Sequence, residues 1–88
     1  LYQNYPNPFN PATAIRYDLP QQADVELTIY NVLGRQVAVA VNGWREQGRH
    51  EVMWDGTDNF GRSVSAGVYL YQIRAGDFSR TRKMLLLK

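Results

Sequence analysis

The sequence predicts an all-β chain folded as an antiparallel sandwich. Three observations carry that expectation. Apolar residues alternate with period two in several short runs, turn residues punctuate the chain about every 8–12 residues, and no stretch keeps a helical period of useful length.

Taken in order, Leu1 to Pro11 (LYQNYPNPFNP) hold three of the four prolines. Proline removes a donor and keeps its predecessor extended, so residues 1–12 are expected to form an extended arm. In that reading Tyr5 and Phe9 lie on an apolar surface and the arm closes one edge of the domain; a linker is the alternative. From Thr13 to Leu19, Ile15, Tyr17 and Leu19 alternate with Arg16 and Asp18, as in a half-buried strand that Pro20 ends. Val25, Leu27 and Ile29 alternate with Glu26, Thr28 and Tyr30 in a second strand. Asn31 to Gly34 form a short loop into a third, Gln36 to Val41, making a hairpin. Asn42-Gly43 reads as a turn, Gly48 as a second break, and Trp44 to Gln47 as a loop or short edge strand between them.

Arg49 to Trp54 alternates again, with His50, Val52 and Trp54 on one side. Gly56 and Gly61 then bracket Asp58-Asn59, where the chain reverses cheaply. A short strand is expected at Arg62 to Val64. After Gly67, Val68, Leu70 and Gln72 face one way and Tyr69, Tyr71 and Ile73 the other, a central strand covered on much of both faces. Gly76-Asp77 turns the chain into Phe78 to Lys88. About seven strands joined by such turns predict an immunoglobulin-like antiparallel β-sandwich.

With 88 residues there is room for one domain, residues 1–88, which buries roughly 60–65% of the surface its unfolded chain exposes. Hydrophobic residues make up 44% and charged ones 20%, enough apolar material to build a core. There is no cysteine, which excludes disulfides and thiolate metal sites. A net charge of +2 does not call for nucleic acid, and no apolar run approaches the roughly 18–20 residues of a membrane span. The chain starts at Leu1 and reads as a piece of a longer protein, the arm joining it to an upstream passenger.

Catalysis finds little support. The lone His50 has Ser63, Ser65 and Ser79 as conceivable nucleophiles, but none lies in a Gly-x-Ser-x-Gly elbow, and a single His on an alternating strand is more often a packing residue. Asp55, Asp58 and Asn59 fail calcium-loop spacing and suit turn duty. Trp44, Tyr30, Tyr69 and Tyr71 could form a sugar-stacking platform. However, Trp54, Tyr69 and Tyr71 supply bulk that the core needs, which leaves Trp44 as the aromatic exposed in a loop. Arg80, Arg82, Lys83 and Lys88 suit the solvated face of an edge strand. The expectation is a non-enzyme, without metal or other cofactor, and monomeric.

Several blocks occur in order: Tyr5-Pro6-Asn7-Pro8-Phe9-Asn10-Pro11, Ile15-Arg16-Tyr17-Asp18-Leu19-Pro20, Ile29-Tyr30-Asn31-Val32-Leu33-Gly34, Trp54-Asp55-Gly56, Ala66-Gly67-Val68-Tyr69 and Lys83-Met84-Leu85-Leu86-Leu87-Lys88. Together they resemble the subtype A C-terminal sorting domain of the type IX secretion system, found on secreted proteins of Bacteroidota and related bacteria. The stretch from Leu33-Gly34 to Gly67-Val68-Tyr69 also resembles the immunoglobulin-like domain of flagellar hook-capping proteins. Where the sorting family often has Pro-x-Gly or Ser-Gly before the aromatic strand, this chain has Ser65-Ala66-Gly67.

The resemblance implies a folded export signal. Passengers such as hydrolases or adhesins carry the domain into the periplasm. There an outer-membrane translocon recognises it, and in many members a sortase-like peptidase removes it, leaving the passenger secreted or on the cell surface. By motif, recognition falls on Gly67, Val68 and Tyr69 and on Lys83, Leu85, Leu86, Leu87 and Lys88. A terminal strand ending Met84 to Leu87 would also offer an edge for strand addition, with Lys83 and Lys88 fixing register on acidic groups. The alternative is a structural or adhesive module: a spacer, a hook-cap-like assembly domain or a carbohydrate-binding domain.

Overall fold

The period-two segments become strands in a computed structural model, which describes residues 1–87. They are β1 (Thr13–Leu19), β2 (Ala23–Asn31), β3 (Gln36–Arg45), β4 (Gly48–Trp54), β5 (Gly67–Ala75) and β6 (Phe78–Leu86). A four-stranded sheet in the order β3-β2-β5-β6 faces a two-stranded sheet of β1 and β4, and every pairing between these strands is antiparallel. The fold is an immunoglobulin-like all-β sandwich. Its core takes one face of each strand: Ile15, Tyr17 and Leu19 from β1, Val25, Leu27 and Ile29 from β2, Tyr69, Tyr71 and Ile73 from β5, Met84 and Leu86 from β6.

Among the described residues the strands number six rather than seven. The stretch Arg62 to Val64 contributes only an isolated bridge, Thr57 to Ser63. The Asp58 carboxylate accounts for this: Oδ1 accepts the amides of Phe60 (2.9 Å) and Arg62 (3.0 Å), folding the segment back on itself as a loop. Asn42-Gly43 is not a turn. Both residues lie inside β3, Asn42 opposite Glu26 and Gly43 opposite Val25. Because β2 starts at Ala23, its backbone reaches as far as Arg45, and ladder hydrogen bonds outweigh the local preference of the dipeptide. The chain reverses instead at Glu46-Gln47, and Trp44 stands on a strand. The outer face of β5 is covered only in part, with Leu70 and Gln72 half-buried. The strand is central in its sheet, but the second sheet packs only under Tyr69, Tyr71 and Ile73, leaving Val68 42% exposed on the outer face.

Residues 1–11 use one edge of each sheet. The Tyr2 and Tyr5 amides donate to the carbonyls of Arg16 and Ala14 on β1 (3.0 Å each), and the Ala14 amide donates to Tyr5 O (2.8 Å). The arm then crosses to β6, where Phe9 N–H donates to Leu85 O (3.0 Å) and Leu87 N–H to Phe9 O (2.8 Å). A polar lock fixes the crossing. The Tyr71 hydroxyl donates to Tyr2 O and accepts from Asn4 N–H (2.9 Å each), while Asn4 Nδ2 donates to Thr13 Oγ1 (3.0 Å). The arm therefore closes an edge as expected, through Phe9, which is 1% exposed; Tyr5, at 70%, faces solvent instead. Tyr5 pairs through its backbone with Ala14, and its side chain points away from the core.

Candidate recognition site

The blocks that carry the sequence resemblance meet largely at one end of the sandwich. β4 ends there at Trp54, β5 begins there at Gly67, and β6 ends there at Leu86. Trp54 lies between Phe9 (centroids 5.8 Å) and Tyr69 (5.4 Å, edge to face). Its Nε1–H donates to Thr57 O (2.9 Å), and the Tyr69 hydroxyl donates to Ser65 O (2.6 Å), so the two rings pin both legs of the loop between β4 and β5. Gly56 sits beneath that loop at φ +77°, where a Cβ would stand 3.1 Å from Pro11 O and 3.5 Å from a Leu86 methyl. Only glycine meets both the left-handed backbone and the close approach.

The register joins the two halves of the candidate signal. Gly67 pairs with Leu86, Val68 with Leu85 and Tyr69 with Met84. Strand alternation then divides them. Tyr69 and Leu86 point inward and are buried, so they act through the core. Val68 and Leu85 lie side by side on the outer face, with Leu87, 47% exposed, beyond them and exposed Lys83 opposite Leu70. Lys88 lies outside the described residues. Other apolar side chains add to the character of this end: Val32 and Leu33 at the β2–β3 turn and Phe60 in the long loop are exposed there too.

Sequence reasoning missed Asn7, whose Oδ1 accepts the Leu85 amide at 3.0 Å, and Gln3, whose Nε2 donates to Lys83 O at 2.9 Å. The only signal in the sequence was the run of prolines, which marks residues 1–11 as extended but names no partner for Asn7 or Gln3.

Other candidates for chemistry are engaged in structure. His50 stacks on Tyr17 (5.2 Å) and its Nε2–H donates to Glu46 O (2.7 Å), whereas Ser63 and Ser65 lie in the loop at the opposite end. Asp58 caps its own loop, and the bonds from the Arg62 and Phe60 amides together with the Arg62 charge hold its carboxyl below the usual range. Asp55 accepts from Thr57 Oγ1, and Asn59 Oδ1 from the Val39 amide. Among the described residues no three His, Asp or Glu side chains are grouped to hold a metal. Trp44 is 57% exposed, but Tyr69 and Tyr71 are core residues and cannot join it in a stacking platform.

Two solved structures share this architecture. One, from Porphyromonas gingivalis, is PorZ, described as an essential bacterial surface component of the type-IX secretion system. It is 23% identical with a TM-score of 0.67, and the match covers 98% of this chain and 11% of PorZ. The other is FlgD from P. aeruginosa, 22% identical with a TM-score of 0.65, covering 86% of this chain and 64% of FlgD. The chain thus spans less than two thirds of either protein. No curated protein matches the sequence. Residues 10–77 match the FlgD Ig-like domain, and the chain belongs to that family.

Proposed function

We propose that the domain is a non-catalytic export signal of the type IX secretion system, directing an upstream passenger in the same chain to secretion or the cell surface by way of the periplasm. The observation that carries this reading is the pairing of Gly67-Val68-Tyr69 against Met84-Leu85-Leu86. The two segments become one folded element, with half-buried Leu85 beside exposed Val68 and Leu87 on its outer face for a translocon component to touch. The likeness to PorZ, a component of that system, agrees with the reading. The partners would be the outer-membrane translocon and a sortase-like peptidase.

The test fuses the domain behind a signal peptide and a reporter in a type IX-competent strain. Export of the reporter is expected. A reporter retained in the periplasm removes the proposal. A double variant, Val68→Ser with Leu85→Ser, touches only the outer face; it should keep the fold, checked by thermal melting, and lose export. Normal export by this folded variant would move recognition away from the pair.

The second reading, a structural module of a larger assembly, draws on the family itself, whose matched member FlgD is 64% covered. It predicts a reporter that stays behind while the domain remains folded and binds a neighbouring domain of its parent protein.

A further inference from the structure

The arm covers only part of the β6 edge. Leu85 spends both outward backbone groups on it, the amide on Asn7 Oδ1 and the carbonyl on Phe9 N–H, and Leu87 donates to Phe9 O. Lys83 O accepts from Gln3 Nε2. Because β5 and β6 pair without a register shift, the residues whose backbone groups point outward continue down the strand as Lys83, Thr81 and Ser79. Among the described residues, the amides of Ser79, Thr81 and Lys83 and the carbonyls of Ser79 and Thr81 bond to nothing across this edge. An open depression of about 420 Å³, lined by Gln3, Leu70, Thr81, Arg82 and Lys83, runs beside it.

The edge is also strongly basic. Ser79 to Lys83 contains Arg80, Arg82 and Lys83 and no acid. Arg80 lies over the Phe78 ring (5.7 Å) and Arg82 donates to Leu1 O (2.9 Å), but none of the three is in an ion pair among the described residues. A second copy of this strand would set like charges against like, so self-pairing is disfavoured. A lipid headgroup could answer the charge but not the repeating donors and acceptors of a strand edge. What fits both is an extended peptide carrying carboxylates.

We propose that Ser79–Lys83 is a docking edge for an acidic peptide segment, which adds to the four-stranded sheet as a further strand beside β6. The main-chain bonds supply the attachment, and Arg80, Arg82 and Lys83 select acidic sequences and set the register. The arm limits the site: it blocks addition at Leu85–Leu87 and leaves the lower half of the edge free. The inference uses the strand on which the export reading partly depends, yet does not need that reading, since binding is measured on the purified domain and export in cells, and either can fail alone.

The probe is a short acetylated and amidated peptide of alternating Glu and Thr, titrated into labelled domain and followed by amide resonances and hydrogen exchange. The Ser79, Thr81 and Lys83 amides should shift and gain protection, while those of Leu85 and Leu87, already bonded, should not. A peptide with Lys in place of Glu should not bind. Thr81→Pro removes an outward amide without touching the β5 ladder and should abolish binding. Should that variant unfold, the double charge reversal Arg80→Glu with Lys83→Glu leaves every backbone group in place and should weaken binding about tenfold or more. The proposal is overturned by shifts mapping to another edge, by equal binding of the lysine peptide, by undiminished binding in a folded variant, or by no binding of the Glu peptide at all. Anionic phospholipid vesicles bound equally by the native domain and a folded Thr81→Pro variant, with no response to the peptide, would assign the charge to a membrane surface instead.

Discussion

Phe9 runs parallel to Leu86 at the free edge of β6, joined through its own amide to Leu85 O and through its carbonyl to the Leu87 amide. Its ring goes under Trp54 while its backbone closes the sheet. Phe9→Ala should therefore do two things. Loss of the ring should cost roughly 3–5 kcal/mol in urea denaturation. The Leu85 and Leu87 amides should also exchange faster than the amides of β2. A loss of stability with unchanged protection at Leu85 and Leu87 would mean that the arm is held by its prolines and polar lock rather than by this anchor.

Gly56 and Gly61 share nearly the same backbone, φ +77° and +78°, but not the same surroundings. At Gly61 a Cβ would meet nothing within 4 Å, whereas at Gly56 it would press on Pro11 O at 3.1 Å. Gly61→Ala should show the conformational cost alone, roughly 1–2 kcal/mol. Gly56→Ala should cost clearly more, since a backbone oxygen cannot swing aside. Equal melting temperatures for the two variants would show that the arm yields at Pro11.

Most of the strands were legible because alternation is a local property: Ile15, Tyr17 and Leu19, or Tyr69, Tyr71 and Ile73, declare their faces without reference to the rest of the chain. Asn42-Gly43 shows the limit. The dipeptide favours a turn, but the outcome depends on how far β2 extends at its start, a fact about residues well outside any local window. The recognition residues show another limit. The motif named Gly67, Val68 and Tyr69 with Lys83, Leu85, Leu86, Leu87 and Lys88 as one set, and only the β5–β6 register separates Val68 and Leu85, which face outward, from Tyr69 and Leu86, which face the core. Nothing local could reveal that Asn7 caps the Leu85 amide, because that bond spans most of the chain.

Thr28 is buried on the outer face of β2, opposite Val39 and Gln72, and its Oγ1 has no hydrogen-bond partner. A hydroxyl held away from water without a partner is unfavourable, and valine has nearly its shape with strong strand preference. Thr28→Val should raise stability by about 1 kcal/mol in urea denaturation. A destabilised variant would indicate a bound water that satisfies the hydroxyl.

Tyr17, Tyr69 and Tyr71 are buried, and for each burial is the leading cause that raises the pKa above its ordinary value; nearby charge or hydrogen bonds oppose it at Tyr17, through Arg45, and at Tyr71, through the Asn4 amide and Arg82. The sign of the effect follows from which state holds its protons longer. Above about pH 10 the unfolded chain loses phenolic protons while the folded chain keeps them, so the unfolded state binds fewer and stability falls as pH rises. The contribution is fully present below the unfolded pKa and is lost through the window above it. Denaturation midpoints should hold steady through neutral pH and decline from about pH 10 upward. Tyr71→Phe separates the titration from the hydrogen bonds. At neutral pH it should cost roughly 1–3 kcal/mol, because Tyr2 O and the Asn4 amide lose their buried partner. In the alkaline range its decline should be shallower than that of the native domain, since one buried phenol no longer titrates. A variant whose alkaline decline parallels the native curve would place the titrating group at Tyr17, Tyr69 or Tyr2, whose hydrogen bond to Asp18 also raises its pKa, and the flatter curve would then belong to the Phe variant of one of these three.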